Sequence, residues 1–373
     1  MRFVFWSAFA LVAYAYLGYP AWLWLRGYLR PRPVSRGSFV PFVSIVLVVR
    51  NEEQVLARKL NNLLALNYPV EQTEIVIVSD GSSDGTNRIL SEFTQSPRFR
   101  VILNQTPAGK AAGLSQAIEK ARGEVVVFTD ARQQIAENAI RLLMENFADQ
   151  SVGCVSGELQ LGDPSTGEVV RGIGMYWKIE RSIRERESAS GSVVGATGAL
   201  YAARRGLLLP LPQDAILDDV FVPMQIVRLG KRVVLDTRAK VWDNPDLGAR
   251  REFARKVRTL TGVYQLVKFE PWILSSANPM RFEFVSHKLF RLAVPFALCA
   301  ALLSSAFLGS TMYRFALALQ VAFYGLGTLG IWVAGESVLP KMAKAAFTFL
   351  LLNAAAVIAF FNFMTGRRPA WNR

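Results

Sequence analysis

Apolar positions along the chain follow two different periods. From Phe3 to Leu25 no side chain is charged, a run of 23 residues that, at about 1.5 Å per residue in a helix, exceeds a hydrocarbon core about 30 Å thick. Runs of similar character return at Leu292–Met312, Phe315–Val333 and Ala345–Met364. Between these ends the pattern shortens. Val43–Val49, Glu74–Ser79 and Val125–Thr129 are brief β-branched runs that predict buried strands, while Glu53–Leu66, Thr86–Phe93 and Ala111–Ala121 have helical spacing. Strands alternating with helices predict an α/β domain with a parallel sheet covered on both faces, its ligands lying outside the carboxyl ends of the strands.

The four long runs predict four membrane spans and divide the chain. Residues 1–37 form an N-terminal transmembrane helix with a basic linker, 38–265 a cytoplasmic domain, 266–290 an interfacial segment and 291–373 a region of about three spans. The first run is too long for a signal-peptide core, and Arg26, Arg30, Arg32 and Arg36 follow it instead of a small-residue cleavage site. Tyr16, Tyr19, Trp22, Trp24 and Tyr28 fall where an interfacial aromatic belt belongs, and the arginines place the central domain in the cytoplasm. With an outside N-terminus, four spans put Lys341 and Lys344 inside but leave Arg367, Arg368 and Arg373 outside. A re-entrant segment, or a short tail that escapes the charge rule, resolves the conflict. Leu266–Phe284 mixes aromatic residues with Lys268 and Arg281 and reads either as interfacial or as a domain-edge helix.

Composition sharpens this division. The chain is 51% hydrophobic and 19% charged over 373 residues, with a mean hydropathy of +0.24, which excludes disordered and collagen-like classes. Two cysteines, Cys154 and Cys299, make no disulfide framework, and one histidine, His287, excludes a multi-histidine metal site. The formal charge of +14 invites a nucleic-acid reading, but residues 38–285 hold 30 basic and 28 acidic side chains, so the excess lies in the flanks, whose one acid is Glu336. That is the signature of membrane orientation rather than of nucleic-acid binding.

The chemistry gathers at the predicted strand ends. Arg50-Asn51-Glu52 follows the first strand, the Asp80–Thr86 segment (Asp-Gly-Ser-Ser-Asp-Gly-Thr) the second, and Asp130-Ala131-Arg132 the later one. Carboxylates at such ends can accept hydrogen bonds from a ligand. Glu52 also suits a helix N-terminus, and Asp84 is better read as a helix cap. Gly109-Lys110 opens a helix without P-loop spacing. Asp218-Asp219, ahead of an apolar run, suits either a helix start or a base whose pKa a neighbouring carboxylate raises.

This ordered set, over about Val43–Arg258, resembles the family 2 glycosyltransferases, particularly the membrane-bound branch of cellulose- and hyaluronan-type polysaccharide synthases. The resemblance implies a nucleotide-sugar-binding GT-A fold, a mixed, mainly parallel sheet flanked by helices, with transmembrane helices added. It implies inverting transfer of a sugar from a nucleoside-diphosphate sugar, UDP-sugar favoured, to a membrane-associated polysaccharide or lipid-linked acceptor. Residue by residue, it implies nucleoside contacts for Glu52 and Asp80, a nucleotide-facing lysine at Lys110, and an acidic pair of which Asp219 is the base and Asp218 its neighbour. The segment Gly195-Ala196-Thr197-Gly198-Ala199-Leu200-Tyr201 resembles the acceptor lining, where Gly198 lets a sugar approach backbone. The family's Asp-x-Asp holds a divalent cation, Mg2+ or Mn2+. Here Arg132 replaces the second carboxylate, so either Asp130 binds the metal with phosphate oxygens or Arg132 supplies part of the neutralising charge. The processive Gln-x-x-Arg-Trp motif is reduced to Arg255-Lys256-Val257-Arg258-Thr259, which keeps Arg258 as a diphosphate clamp and loses the stacking tryptophan needed for long-chain processivity. Implied partners are the membrane and other envelope-polysaccharide assembly proteins at an inner or plasma membrane. Two other readings stay open: a catalytically silent nucleotide-sugar-binding regulator, and a lipid-phosphate nucleotidyltransferase that would release diphosphate.

Overall fold

The computed structural model describes residues 1–94, 96–162, 175–243, 249–332 and 337–367. Val333, Glu336, Arg368 and Arg373 lie outside the described residues. Helices α1 (Arg2–Ala13) and α2 (Tyr19–Leu29) are followed by β1 (Val43–Val49), α3 (Glu53–Leu64), β2 (Thr73–Asp80), α4 (Thr86–Phe93), β3 (Phe99–Asn104), α5 (Lys110–Lys120) and β4 (Val125–Thr129). Next come β5 (Gln134–Ile135), α6 (Ala139–Glu145), β6 (Val152–Leu161), α7 (Met175–Ser190), β7 (Leu200–Arg204), α8 (Asp218–Arg228) and β8 (Arg232–Asp243). The chain then turns helical in α9 (Ala249–Phe269), α10 (Arg281–Phe284), α11 (Phe290–Phe307), α12 (Thr311–Leu329) and α13 (Val338–Met364).

Every residue of β1, β2 and β4 is buried, because helices cover both faces of the sheet and leave no strand position facing water. Alternate side chains supply the two layers: Val46, Val48, Val76 and Val78 pack toward α5, while Ile45, Leu47, Ile75 and Ile77 pack toward α3 and α6. The strand order is β3-β2-β1-β4-β7-β6-β8-β5. The expected parallel pairing holds for β3, β2, β1 and β4, but β7 runs antiparallel between β4 and β6. The sheet is therefore mixed and mainly parallel. The chain leaves β1 toward β2 and β3 and returns on the other side of β1 as β4, so the carboxyl ends of β1 and β4 flank a topological switch point, the natural crevice of such sheets.

Three helices are long and apolar enough to cross a membrane among the described residues: Arg2–Leu29, Arg281–Phe307 and Val338–Met364. The expected run Phe315–Val333 falls on α12, which carries Arg314 and Gln320 and is not one of the three. The inner part of the first helix does not face lipid alone. Tyr19 and Leu23 are buried against Ile183 of α7, and Arg26 pairs with Glu283 and donates to Ser190 Oγ at 2.9 Å. His287 sits buried between Glu187 (2.8 Å) and Glu180 (2.9 Å) of α7. The chain's one histidine thus ties the α/β domain to an apolar helix. Helix α9 runs unbroken through the boundary expected after residue 265.

Candidate active site

The site starts from a buried aspartate. Asp80 ends β2 with no exposure, and its two oxygens accept the backbone N–H groups of Ala108 (2.7 Å) and Gly109 (2.9 Å). Gly109 lies at φ +95°, a left-handed conformation that side chains rarely adopt. Gly81, at φ +64°, leaves room for Pro107, whose nitrogen would lie 2.6 Å from an added Cβ. These constraints fix the loop that opens α5, and Lys110 is the first residue of that helix.

Lys110 Nζ lies 3.0 Å from Asp130 Oδ1 and 3.2 Å from Asp218 Oδ1. Asp130 comes directly after β4 and Asp218 opens α8, so three elements distant in sequence meet at one ammonium. Burial alone would push this lysine down, but the carboxylates of Asp130, Asp218 and Asp219 outweigh it and the net shift is upward. Asp219, the next residue of α8, is pushed up to about 6, first by burial and then by Asp218, with Lys110 pulling the other way. Arg258 on α9 faces the same acids: burial lowers its guanidinium, and Asp218, Asp130 and Asp219 oppose that. Five of the expected residues therefore share one charged cluster at the sheet's carboxyl edge.

The loop of residues 195–199 packs against Asp219. Ala196 N–H donates to Asp219 O at 2.7 Å, and a Cβ on Gly198 would lie 3.1 Å from Asp219 Oδ2. Beneath it, Tyr201 stacks on Phe128 with ring centroids 4.3 Å apart and its hydroxyl donates to Asp218 Oδ2 at 3.4 Å.

On the other flank, Glu52 precedes α3 and its backbone N–H donates to Thr86 Oγ1 at 2.9 Å. Asn51, at φ +54°, accepts the N–H of Ser83 at 2.8 Å. Asp84 takes the N–H of Thr86 at 3.0 Å in an Asx turn, one residue ahead of Gly85, which holds the N-cap position expected for Asp84. Arg132 follows in the turn after β4, where its carbonyl accepts from Arg58 at 3.1 Å.

Sequence reasoning missed Arg184 of α7, which donates to Thr197 Oγ1 (2.9 Å) and Ser156 Oγ (2.8 Å) and so braces the loop that carries Gly198. It also missed Lys59, buried behind Asp130. Neither stood out, because a basic residue in a helical pattern reads as solvated until the fold buries it.

Among the described residues no group of three or more His, Cys, Asp or Glu side chains is arranged as a metal cage. The donor chemistry still suits a cation shared with a ligand. The Asp130 side chain is 38% exposed beside the buried Asp218, and Mg2+ or Mn2+ is commonly held by one carboxylate together with substrate phosphates.

Residues 44–209 match the family described as Glycosyl transferase family 2. A β-monoglucosyldiacylglycerol synthase of Trichormus variabilis is 29% identical over 187 residues, covering 48% of this chain and 40% of that protein. A poly-β-1,6-N-acetyl-D-glucosamine synthase of Staphylococcus epidermidis is 27% identical over 214 residues, covering 56% of this chain and 51% of that protein. The chain thus spans about half the length, or less, of these relatives. The structure of mannosyltransferase PcManGT from Pyrobaculum calidifontis, in complex with GDP-Man and Mn2+, superposes with a TM-score of 0.75 at 22% identity, covering 98% of this chain and 99% of that one. That likeness extends over the apolar helices as well as the sheet, and it establishes the expected GT-A fold.

Proposed function

We propose, from the premise that residues 44–209 form a glycosyl transferase family 2 domain, that this protein is a membrane-bound inverting glycosyltransferase. It takes a sugar from a nucleoside-diphosphate sugar, UDP-sugar favoured, and passes it to a membrane-associated polysaccharide or lipid-linked acceptor. The catalytic domain lies on the cytoplasmic face of an inner or plasma membrane. One observation carries this reading: Asp130, Asp218 and Lys110 meet within 3.2 Å, beside an Asp219 raised to about 6.

The roles follow from the charges. Lys110 and Arg258 supply positive charge for the diphosphate leaving group, Arg258 with a fork suited to two phosphate oxygens. Asp219 accepts the acceptor hydroxyl's proton as that oxygen bonds to the anomeric carbon. The bond from that carbon to the diphosphate breaks, with the electron pair leaving on phosphate. Attack opposite the leaving group inverts the centre. A base with a pKa near the working pH is the efficient one. Gly198 keeps the space in front of Asp219 open, and Glu52 contacts the nucleoside. Asp80, with both oxygens turned to backbone N–H groups, serves the nucleotide by placing the loop that delivers Lys110.

Asp130 would hold Mg2+ or Mn2+ together with the diphosphate oxygens, and the cation would supply further charge neutralisation there. Arg132, two residues on, adds positive charge to the same turn. The structure of PcManGT holds GDP-Man and Mn2+, and the names of the two relatives span a glycolipid and a polysaccharide product. These relatives support the donor and acceptor classes proposed here.

The test is a donor screen on detergent-purified protein with uridine, guanosine and thymidine diphosphate sugars, with and without Mn2+. We expect release of nucleoside diphosphate, lost in Asp219→Asn and reduced in chelator. Turnover of no donor, or full activity in Asp219→Asn, would overturn the reading. Full activity in chelator would assign the neutralising charge to Lys110, Arg132 and Arg258.

A further inference from the structure

Lys59 is the most deeply buried cation in the catalytic half that the chemistry above leaves without a task. It lies on α3 with 1% exposure. Its ammonium donates to Thr129 Oγ1 at 2.8 Å and to the Gln133 carbonyl at 2.7 Å. These two acceptors bracket the Asp130-Ala131-Arg132 turn, one residue before it and one after. The neighbouring residues of α3 grip the same stretch. Arg58 donates to the Arg132 carbonyl at 3.1 Å, and Asn62 exchanges two bonds of 2.8 Å with the backbone of Ile135. The Thr129 hydroxyl then donates to the Ala199 carbonyl at 2.9 Å, and Ala199 follows Gly198 in the loop that faces Asp219.

We propose that Lys59 is a positioning residue that couples the two halves of the active site, setting the Asp130 turn on the leaving-group side and, through Thr129, the Gly198–Ala199 loop on the acceptor side. The inference rests on the glycosyltransferase reading and deepens it. The geometry explains why an ammonium stands where an apolar side chain of similar length would pack without a desolvation cost. Three N–H donors on one flexible stem reach two acceptors that belong to opposite ends of a tight turn, which no apolar group does. Both acceptors of the ammonium are neutral oxygens, so its contacts set the position of the turn and do not neutralise Asp130, whose carboxylate pairs with Lys110.

A residue that couples the sites governs where the sugar goes, not merely whether the protein folds. The readout is therefore the ratio of transfer to wasteful hydrolysis of the donor, measured in the same reaction, together with kcat and donor KM. We expect Lys59→Met to lower transfer kcat about tenfold or more and to shift the ratio several-fold toward hydrolysis. Thr129→Val, which keeps shape and removes the hydroxyl, should reproduce the ratio shift, Thr129→Ser should restore it, and the double variant should add little to either single change. Wild-type ratios in the folded fraction of Lys59→Met and in Thr129→Val would reduce Lys59 to a structural role and sink this proposal alone. Should Lys59→Met fail to fold, Thr129→Val decides by itself, an unchanged ratio again overturning the coupling. An unmodified enzyme that turns over no donor would sink the functional reading and this one with it.

Discussion

Replacing Asp219 by asparagine should destroy transfer and stabilise the protein at the same time. Folding raises this carboxyl from the usual 3.8 to about 6, chiefly through burial and the adjacent Asp218. A rise of about two units, at about 1.4 kcal/mol each, means that holding Asp219 ionised in the fold costs about 3 kcal/mol. A raised carboxyl favours the native state below its unfolded value and loses that advantage as pH climbs through the folded one. The penalty is therefore absent near pH 4, grows between about pH 4 and 6, and is fully present at pH 8. Asp219→Asn removes it, and because the net rise already includes the opposing pull of Lys110, a gain of up to about 3 kcal/mol at pH 8 and close to none at pH 4 is expected. Loss of the base lowers kcat by about 10²–10⁴-fold. The assays are thermal unfolding in detergent at the two pH values, and transfer from pH 5 to 8. In the parent enzyme kcat should rise with pH through about 6. An equal stability change at both pH values, or a parent profile without that limb, would refute the reasoning.

Three further outcomes follow from the same geometry. Lys110→Met leaves Asp130 and Asp218 without the ammonium they share at 3.0 and 3.2 Å. It should cut transfer at least a hundredfold and move the acid limb above 6, because Lys110 lowers Asp219, and a pH–rate profile of the residual activity checks this. Gly198→Ala places a methyl 3.1 Å from Asp219 Oδ2, so kcat should fall severalfold while nucleoside-diphosphate affinity, measured by titration, stays unchanged. Asp80→Ala takes the acceptor from two half-buried N–H groups, at about 1 kcal/mol each. Lower thermal stability and weaker nucleotide binding should appear together, since the same loop carries Lys110.

Much of the scaffold was written in local pattern. Val43–Val49, Thr86–Phe93 and Val125–Thr129 coincide with β1, α4 and β4, because continuous apolar runs and capped helices are dictated by neighbours a few residues away. Glu53–Leu66 was two residues too long and Ala111–Ala121 one residue late, since helix ends depend on caps and on what the next turn packs against. The antiparallel insertion of β7 had no local signature, for pairing direction is a property of where the chain returns.

Chemistry divides along the same line. The sequence by itself determined which side chains are available and that they stand at strand ends and helix starts, because those positions follow from hydrophobic period and turn residues. Only the tertiary structure decided that Asp130 and Asp218, 88 residues apart, share one lysine. It also decided that Asp80 spends its carboxylate on the backbone and that Lys59 is buried instead of solvated. Charge, burial and reach are sums over elements distant along the chain, and they take values only once the sheet has closed.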